Sequence, residues 1–324
     1  MKALQRYEYG DWQSLKMVDS ILPKPKAKEV LVKISYAAID SGMVHLISGL
    51  PKVVRLGTGF STPKNPYVGQ SMSGVISKLG PGVTEFQVGD EVFGVGTGVF
   101  AEHAIAKTSK LAIVPTGMTL AQAASFPVSA VAALAAIEAA PDSISTATVL
   151  GASGGVGSFL TALLAKQKVE ITGTCSESKA DWVRSLGANS VIGHGDLDQI
   201  PLASQDRIFI TGGPQAPKEF RKYLKPKGKV IMIGSDNAGS DVFGGFLTNL
   251  LQAAIHPWIK TIVSAEKPEK LLTAARKLRN TEGLFTVVNG LENSIEAIKD
   301  FQQGKVVGRS VIQVTAQNKG SRQI

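Results

Sequence analysis

The stretch ATVLGASGGVGSFLTALLAKQ, residues 147–167, constrains this chain more than any other. Four glycines (Gly151, Gly154, Gly155 and Gly157) separate an apolar run from a long helical pattern. Glycine weakens both strands and helices, so this cluster has to serve the junction itself. A glycine-rich turn between strand and helix lets the backbone approach a ligand closely. The helix start leaves its first N–H groups unpaired, at the positive end of the dipole. Together these features suit a clamp for a diphosphate, the alternative being a merely structural turn. No Gly-Lys-Ser/Thr follows, which excludes a Walker loop.

The surrounding sequence supports a dinucleotide site. After ATVLGA come VEITGTC, SKADWVRSLG, SVIGH, DRIFITG, a helix around Phe220 and KVIMIG. Repeated strand–helix units imply a parallel sheet with right-handed crossovers. The first 120 residues read differently. Glycine is frequent, long helical stripes are absent, and EVLVKISYAAI is a strand entering a loop. This part reads as a mostly-β domain. Between the two, LAQAASFPVSAVAALAAIEAA forms helices on either side of Pro127. Near the end, LLTAARKLRN is a helix and LFTVVN a strand. LENSIEAIKDFQQG is a helix capped at Asn289 or Asn293, and VVGRSVIQV is a last strand. The predicted fold class is α/β.

Composition excludes several classes. Of the 324 residues 44% are apolar and 19% charged, an ordinary globular mixture, and no uninterrupted apolar run suits a membrane span. MKALQRYEYG lacks a secretory core. Cys175 is the only cysteine, which rules out an internal disulfide and a cysteine-rich zinc site and fits a reducing, cytoplasmic setting. The net charge of +9 is spread thinly. Its densest patch, KEFRKYLKPKGKV, reads as a solvated turn, and no nucleic-acid motif accompanies it. Attraction of an anionic cofactor or peripheral membrane contact would be other outlets for that charge.

The end of the second strand of the alternating part bears on which dinucleotide binds. It reads GTCSESK. Ser176 can donate to a 2′-phosphate oxygen and Lys179 can neutralise its charge, which favours NADPH. As alternatives, Ser176 is a helix cap and Lys179 a surface residue. Glu177 either faces the ribose and favours the unphosphorylated cofactor, or occupies a first helical turn.

Taken in order, VGQSMSGVISKLGPGVTEFQVGDEVFG, FAEHAIAKTSKLAIVP, AASFPVSAVAALAAI, VLGASGGVGSFLTALLAKQ, GTCSESKADWVRSLGANSVI, GKVIMIG and GKVVGRSVIQV resemble the medium-chain dehydrogenase/reductase superfamily. The similarity is to its zinc-independent quinone oxidoreductase and enone reductase branch. It implies a GroES-like mostly-β catalytic domain interrupted by a doubly wound Rossmann domain that binds NADPH. The implied divisions are residues 1–122, 123–265 and 266–324, the last largely returning to the catalytic domain. Ser153, Gly154, Gly155 and Val156 would contact the pyrophosphate, and Ser176 and Lys179 the 2′-phosphate. His194 stands where relatives commonly have tyrosine on the adenine side, and it either bonds a phosphate or stacks there or is an exposed loop histidine. Gly212, Gly213 and Gly234 would either let the nicotinamide half approach the backbone or serve only loop turns, with Ser129 near the nicotinamide.

The places of the zinc ligands of metal-dependent relatives are held by Ala37 and by Gln70-Ser71, which suit zinc poorly. Many zinc-independent relatives have an Asn-Pro-Val-Asp sequence where this chain has Ala37-Ala38-Ile39-Asp40. Asp40 matches, and Tyr36 is its candidate helper. Tyr67 either lines a hydrophobic slot or covers the domain core, and Asp40 either serves the reaction or holds its loop. The expected activity is NADPH-dependent reduction of a small hydrophobic quinone or enone. The alternative is an NADPH-binding regulatory or scaffold protein. The apolar segment 244–264 would serve a homodimer interface or lie buried within one chain.

Overall fold

The computed structural model describes residues 1–139, 142–213, 216–233, 251–262, 264–281 and 283–315. Strands β1 (Lys2–Arg6) and β2 (Leu15–Asp19) form an antiparallel pair. β3 (Glu29–Ala38), β4 (Ser71–Leu79), β5 (Glu91–Thr97) and β6 (His103–Ile113) follow in antiparallel order. The first half of β3 also pairs with β6, which closes these four strands into a barrel. Register shifts in β3–β4 and β5–β6 provide the bends that closure needs.

Two helices interrupt the barrel, α1 (Ser41–Ser48) and the single turn α2 (Arg55–Thr58). α1 occupies sequence expected to be loop. Asp40 caps it by accepting from Met43 N at 2.8 Å, and left-handed Gly49 ends it. α3 (Leu120–Ser125) and α4 (Ser129–Glu138) flank Pro127.

The second sheet comprises β7 (Thr146–Leu150), β8 (Glu170–Thr174), β9 (Ser190–Ile192), β10 (Gln205–Ile210), β11 (Leu224–Ile233) and β12 (Ile259–Ile262). Every pairing is parallel, in the order β12-β11-β10-β7-β8-β9. The chain runs outward from β7 to β9, then crosses to β10 on the other side of β7. That reversal is a topological switch point, where open α/β sheets bind ligands. α5 (Gly155–Lys166) and α6 (Ala180–Ser185) lie in the crossovers. The helix expected around Phe220 is a 3₁₀ helix, Pro217–Tyr223.

α7 (Pro268–Leu278) buries Leu271, Ala274, Ala275 and Leu278 in the same core as Val149 and Phe159 of the parallel-sheet domain. β13 (Phe285–Asn289), α8 (Ser294–Gln302) and β14 (Arg309–Gln313) return to the barrel. Asn293 stands at the N-cap of α8, but its amide donates to Asn289 O at 2.7 Å and does not cap the helix. β14 pairs with the second half of β3, Val311 opposite Ala38. This register sets Arg309 beside the residues that leave β3.

Candidate active site

Gly151, at φ +74°, makes the turn after β7, and its N–H donates to Thr174 Oγ1 at 3.1 Å. Gly154 is the N-cap of α5 and supplies no side-chain acceptor, so N–H groups of the first turn stay available to a ligand. A Cβ on Gly155 would lie 2.9 Å from Arg309 Cδ and 3.0 Å from Ser129 Oγ, and one on Gly157 would run into the Gly151 carbonyl. One glycine keeps the cradle open and the other lets helix and strand pack closely.

The cradle opens into a cleft of about 430 Å³ at the switch point. Ser153, Gly154, Gly155, Val156, His194 and Gly213 all line it. Leu150, Thr174, Leu197, Thr211 and Gly212 complete the parallel-sheet side, and Ser41 is contributed by the barrel domain. His194 is exposed where it lines the cleft. Gly213, at φ +110°, takes a conformation that disfavours a side chain. Gly234 lies outside the described residues, as do 244–250 and 263 of the apolar segment 244–264.

Arg309 lies beside the cradle and was not singled out from sequence. Its side chain is 1% exposed. Nη1 donates to Ser129 Oγ at 2.8 Å, and Nη2 lies 3.8 Å from Asp40 Oδ2. Nε and Nη2 have no hydrogen-bond partner among the described residues. Burial pushes the guanidinium pKa down, and the Asp40 charge opposes this. Arg309 does not line the cleft, so what it offers an anion at the open helix N-terminus is charge from behind Gly155. The only sequence signal was an arginine inside an apolar strand, and such residues are seldom buried without a partner.

Asp40 is 2% exposed. Oδ1 accepts from Met43 N and, at 3.3 Å, from Gln70 Nε2; Oδ2 accepts from Ser71 Oγ at 3.0 Å. Its carboxylate ties α1, the start of β4 and Arg309 together. The Tyr36 ring is 7% exposed and packs with Ala38, Leu120, Ala124 and Val311. Burial raises the Tyr36 phenol pKa, so it stays neutral at physiological pH. It lines neither the glycine cleft nor the pocket that contains Tyr67. The Tyr67 hydroxyl pairs with Ser20 Oγ at 2.6 Å. That pocket, about 240 Å³, belongs to the barrel domain and includes Met43 and Gln70.

The two residues expected to read a 2′-phosphate differ in setting. Ser176 is exposed, 3.4 Å from Ser178 Oγ. Lys179 does not project freely: Nζ donates to Gly304 O at 2.5 Å and Val306 O at 2.8 Å, on the loop between α8 and β14. Burial lowers its pKa. Glu177 is exposed in the first turn of a 3₁₀ helix, Glu177–Lys179. Among the described residues, no group of three His, Cys, Asp or Glu side chains is placed to hold a metal ion.

Residues 26–116 match the alcohol dehydrogenase GroES-like domain family. The chain is 25% identical over 322 residues to a quinone oxidoreductase of Rattus norvegicus, covering 87% of this chain and 95% of that one. It is 30% identical over 252 residues to a chloroplast envelope quinone oxidoreductase homolog of Arabidopsis thaliana, covering 72% and 74%. Among solved structures, the quinone oxidoreductase from Coxiella burnetii superposes with a TM-score of 0.82 at 21% identity, covering 97% of this chain and 99% of that one. The Escherichia coli quinone oxidoreductase complexed with NADPH superposes at 0.78 with 18% identity, covering 97% and 100%. A GroES-like barrel joined to a doubly wound sheet with a glycine cradle at its switch point, together with these relatives, places the chain in the quinone oxidoreductase branch of the medium-chain dehydrogenase/reductase superfamily.

Proposed function

We propose that this protein uses NADPH to reduce a quinone or an α,β-unsaturated carbonyl without zinc. The observation that carries the reading is the open cradle at α5, with the charge of the buried Arg309 behind Gly155. First-turn N–H groups around Gly155 and Val156 would hold the diphosphate, with Arg309 adding charge. His194 would lie at the adenine end and Gly213 beside the nicotinamide half. Ser176 would meet the 2′-phosphate, and Lys179 would reach it by leaving the carbonyls of Gly304 and Val306. Quinone oxidoreductase relatives, one of them solved as an NADPH complex, support the same assignment.

When bound, the reduced nicotinamide supplies the hydride. A quinone or enone takes that hydride and one proton, two electrons in all, and gives a hydroquinone or a saturated carbonyl. Such acceptors spread charge onto oxygen, so a few neutral donors and solvent suffice where an isolated ketone needs a Lewis acid. The non-ligating Ala37 and the Gln70 amide, held by Asp40, agree with a zinc-free site. Asp40 acts as a positioning residue in this reading, because its oxygens are taken up by Met43 N, Gln70, Ser71 and Arg309. Tyr36, buried among Ala38, Leu120, Ala124 and Val311, packs the end of β3 and is not placed to donate a proton in the cleft.

NADPH oxidation measured against a panel of quinones and enones, with metal-chelated protein, tests the proposal. Turnover of at least one class is expected. The second reading, a cofactor-binding regulatory protein, draws on the fully engaged Asp40 carboxylate and predicts tight NADPH binding with no turnover across the panel.

A further inference from the structure

We infer that the pocket beside Tyr67 gives this protein a preference for substrates that carry a carboxylate. The inference rests on the reductase reading above. The pocket holds about 240 Å³ and is walled by Met43, Leu46, Ile47 and Val68, which suit a hydrophobic ring or chain. Its charged lining residues are Arg6 and Lys64, with no acid among the described residues that line it.

Arg6 is the informative group. It is 4% exposed, yet it lines the pocket. Nη1 donates to Ile47 O at 3.2 Å, and the guanidinium faces the Tyr9 ring with Cζ 5.1 Å from its centre. Those contacts use one of five N–H donors, and Arg6 has no ion pair among the described residues. A buried cation without an anion is costly, and a planar fork of donors matches a carboxylate. Burial lowers the Arg6 pKa, as expected for a cation lacking a counter-charge. Exposed Lys64 at the rim adds a second positive charge.

Ser41 at the start of α1 lines the cofactor cleft, and Met43 on another face of the same helix lines the pocket. Gln70, bonded to Asp40, lines the pocket. A substrate whose reducible carbon lies in the cleft by Ser41 would extend its tail toward Arg6.

The test uses a benzoquinone bearing a propionate side chain and its methyl ester, which share ring chemistry and differ in charge. Turnover by the full chain with NADPH is compared for wild type, Arg6→Met, Arg6→Lys and Lys64→Met. Wild type is expected to favour the acid by about tenfold in kcat/KM, mainly through KM. Arg6→Met should abolish the preference while leaving ester turnover intact, Arg6→Lys should keep part of it, and Lys64→Met should weaken it. Calorimetric titration of the corresponding hydroquinone acid and ester reads the same pocket without turnover. If neither quinone is reduced, the reductase reading fails and the titration alone decides the pocket. Equal wild-type affinities for acid and ester would overturn the inference, as would a preference that persists unchanged in both Arg6→Met and Lys64→Met. Should Arg6→Met fail to fold, the wild-type ratio and Lys64→Met still decide.

Discussion

Arg309 Nη1 lies 2.8 Å from Ser129 Oγ, joining residues 180 positions apart in the chain. Ser129 begins α4, whereas Arg309 begins β14, a strand of the barrel domain's sheet. The bond therefore crosses between the two halves of the molecule beside the glycine cradle. Ile39 N donates to Ser310 O at 2.9 Å and Gly308 N to Ser153 O at 2.9 Å, so the backbone on both sides of Arg309 is anchored as well. Arg309→Met, which keeps the volume and removes the donors, should weaken NADPH binding at least tenfold in a fluorescence titration. Arg309→Lys should recover part of that loss, because it keeps the charge but not the fork.

Gly155→Ala tests the cradle from the other side. The added methyl would meet Arg309 Cδ and Ser129 Oγ, at separations that force one of them to move. Cofactor affinity should fall about tenfold. Helix propensity at this position improves with alanine, so the melting temperature should change little, and comparing titration with thermal melts separates the two effects.

Lys179 connects the cofactor domain to the loop at Gly304 and Val306. Lys179→Met should lower the melting temperature by a few degrees, from the loss of charge-assisted bonds worth about 1–2 kcal/mol. If the lysine also reaches a 2′-phosphate, the ratio of NADH to NADPH dissociation constants should fall at the same time. An unchanged ratio would leave Lys179 a tether only.

Asp206 supplies a pH prediction. Burial opposes its ionisation, but Oδ2 accepts from Ser145 N and Oγ, from Thr146 N and Oγ1, and from Lys225 Nζ at 2.9–3.0 Å. The donors win and hold the carboxyl well below the usual range. A depressed folded-state pKa stabilises the protein fully above the unfolded-state value, near pH 4, and the contribution is lost as pH falls through the folded-state value. Asp206→Asn should cost about 2 kcal/mol at pH 7. Its melting temperature should also fall less steeply than that of wild type between pH 5 and pH 2, as read by calorimetry.

Local pattern carried much of this structure. The apolar runs, their glycine turns and the helical stripes between them announce a parallel sheet, because strand and helix periods are local properties of the chain. The glycine loop was legible for the same reason, and Ser153, Gly154, Gly155 and Val156 line its cleft. α1 was missed because its signal is the cap, and Asp40 as an N-cap reads in sequence like any loop aspartate. Lys179 reads as a free cation until the loop at Gly304 and Val306 is folded against it.

By itself, then, the sequence determined the two architectures, their order and the place of the glycine cradle. Tertiary structure alone decided which charges meet there. Arg309 reaches Ser129 and Asp40 because β14 pairs with β3 in one register, and Arg6 lines a pocket because β1 lies against α1 and the segment before β4. Those neighbours are distant in the chain, and nothing in local propensity encodes a long-range register.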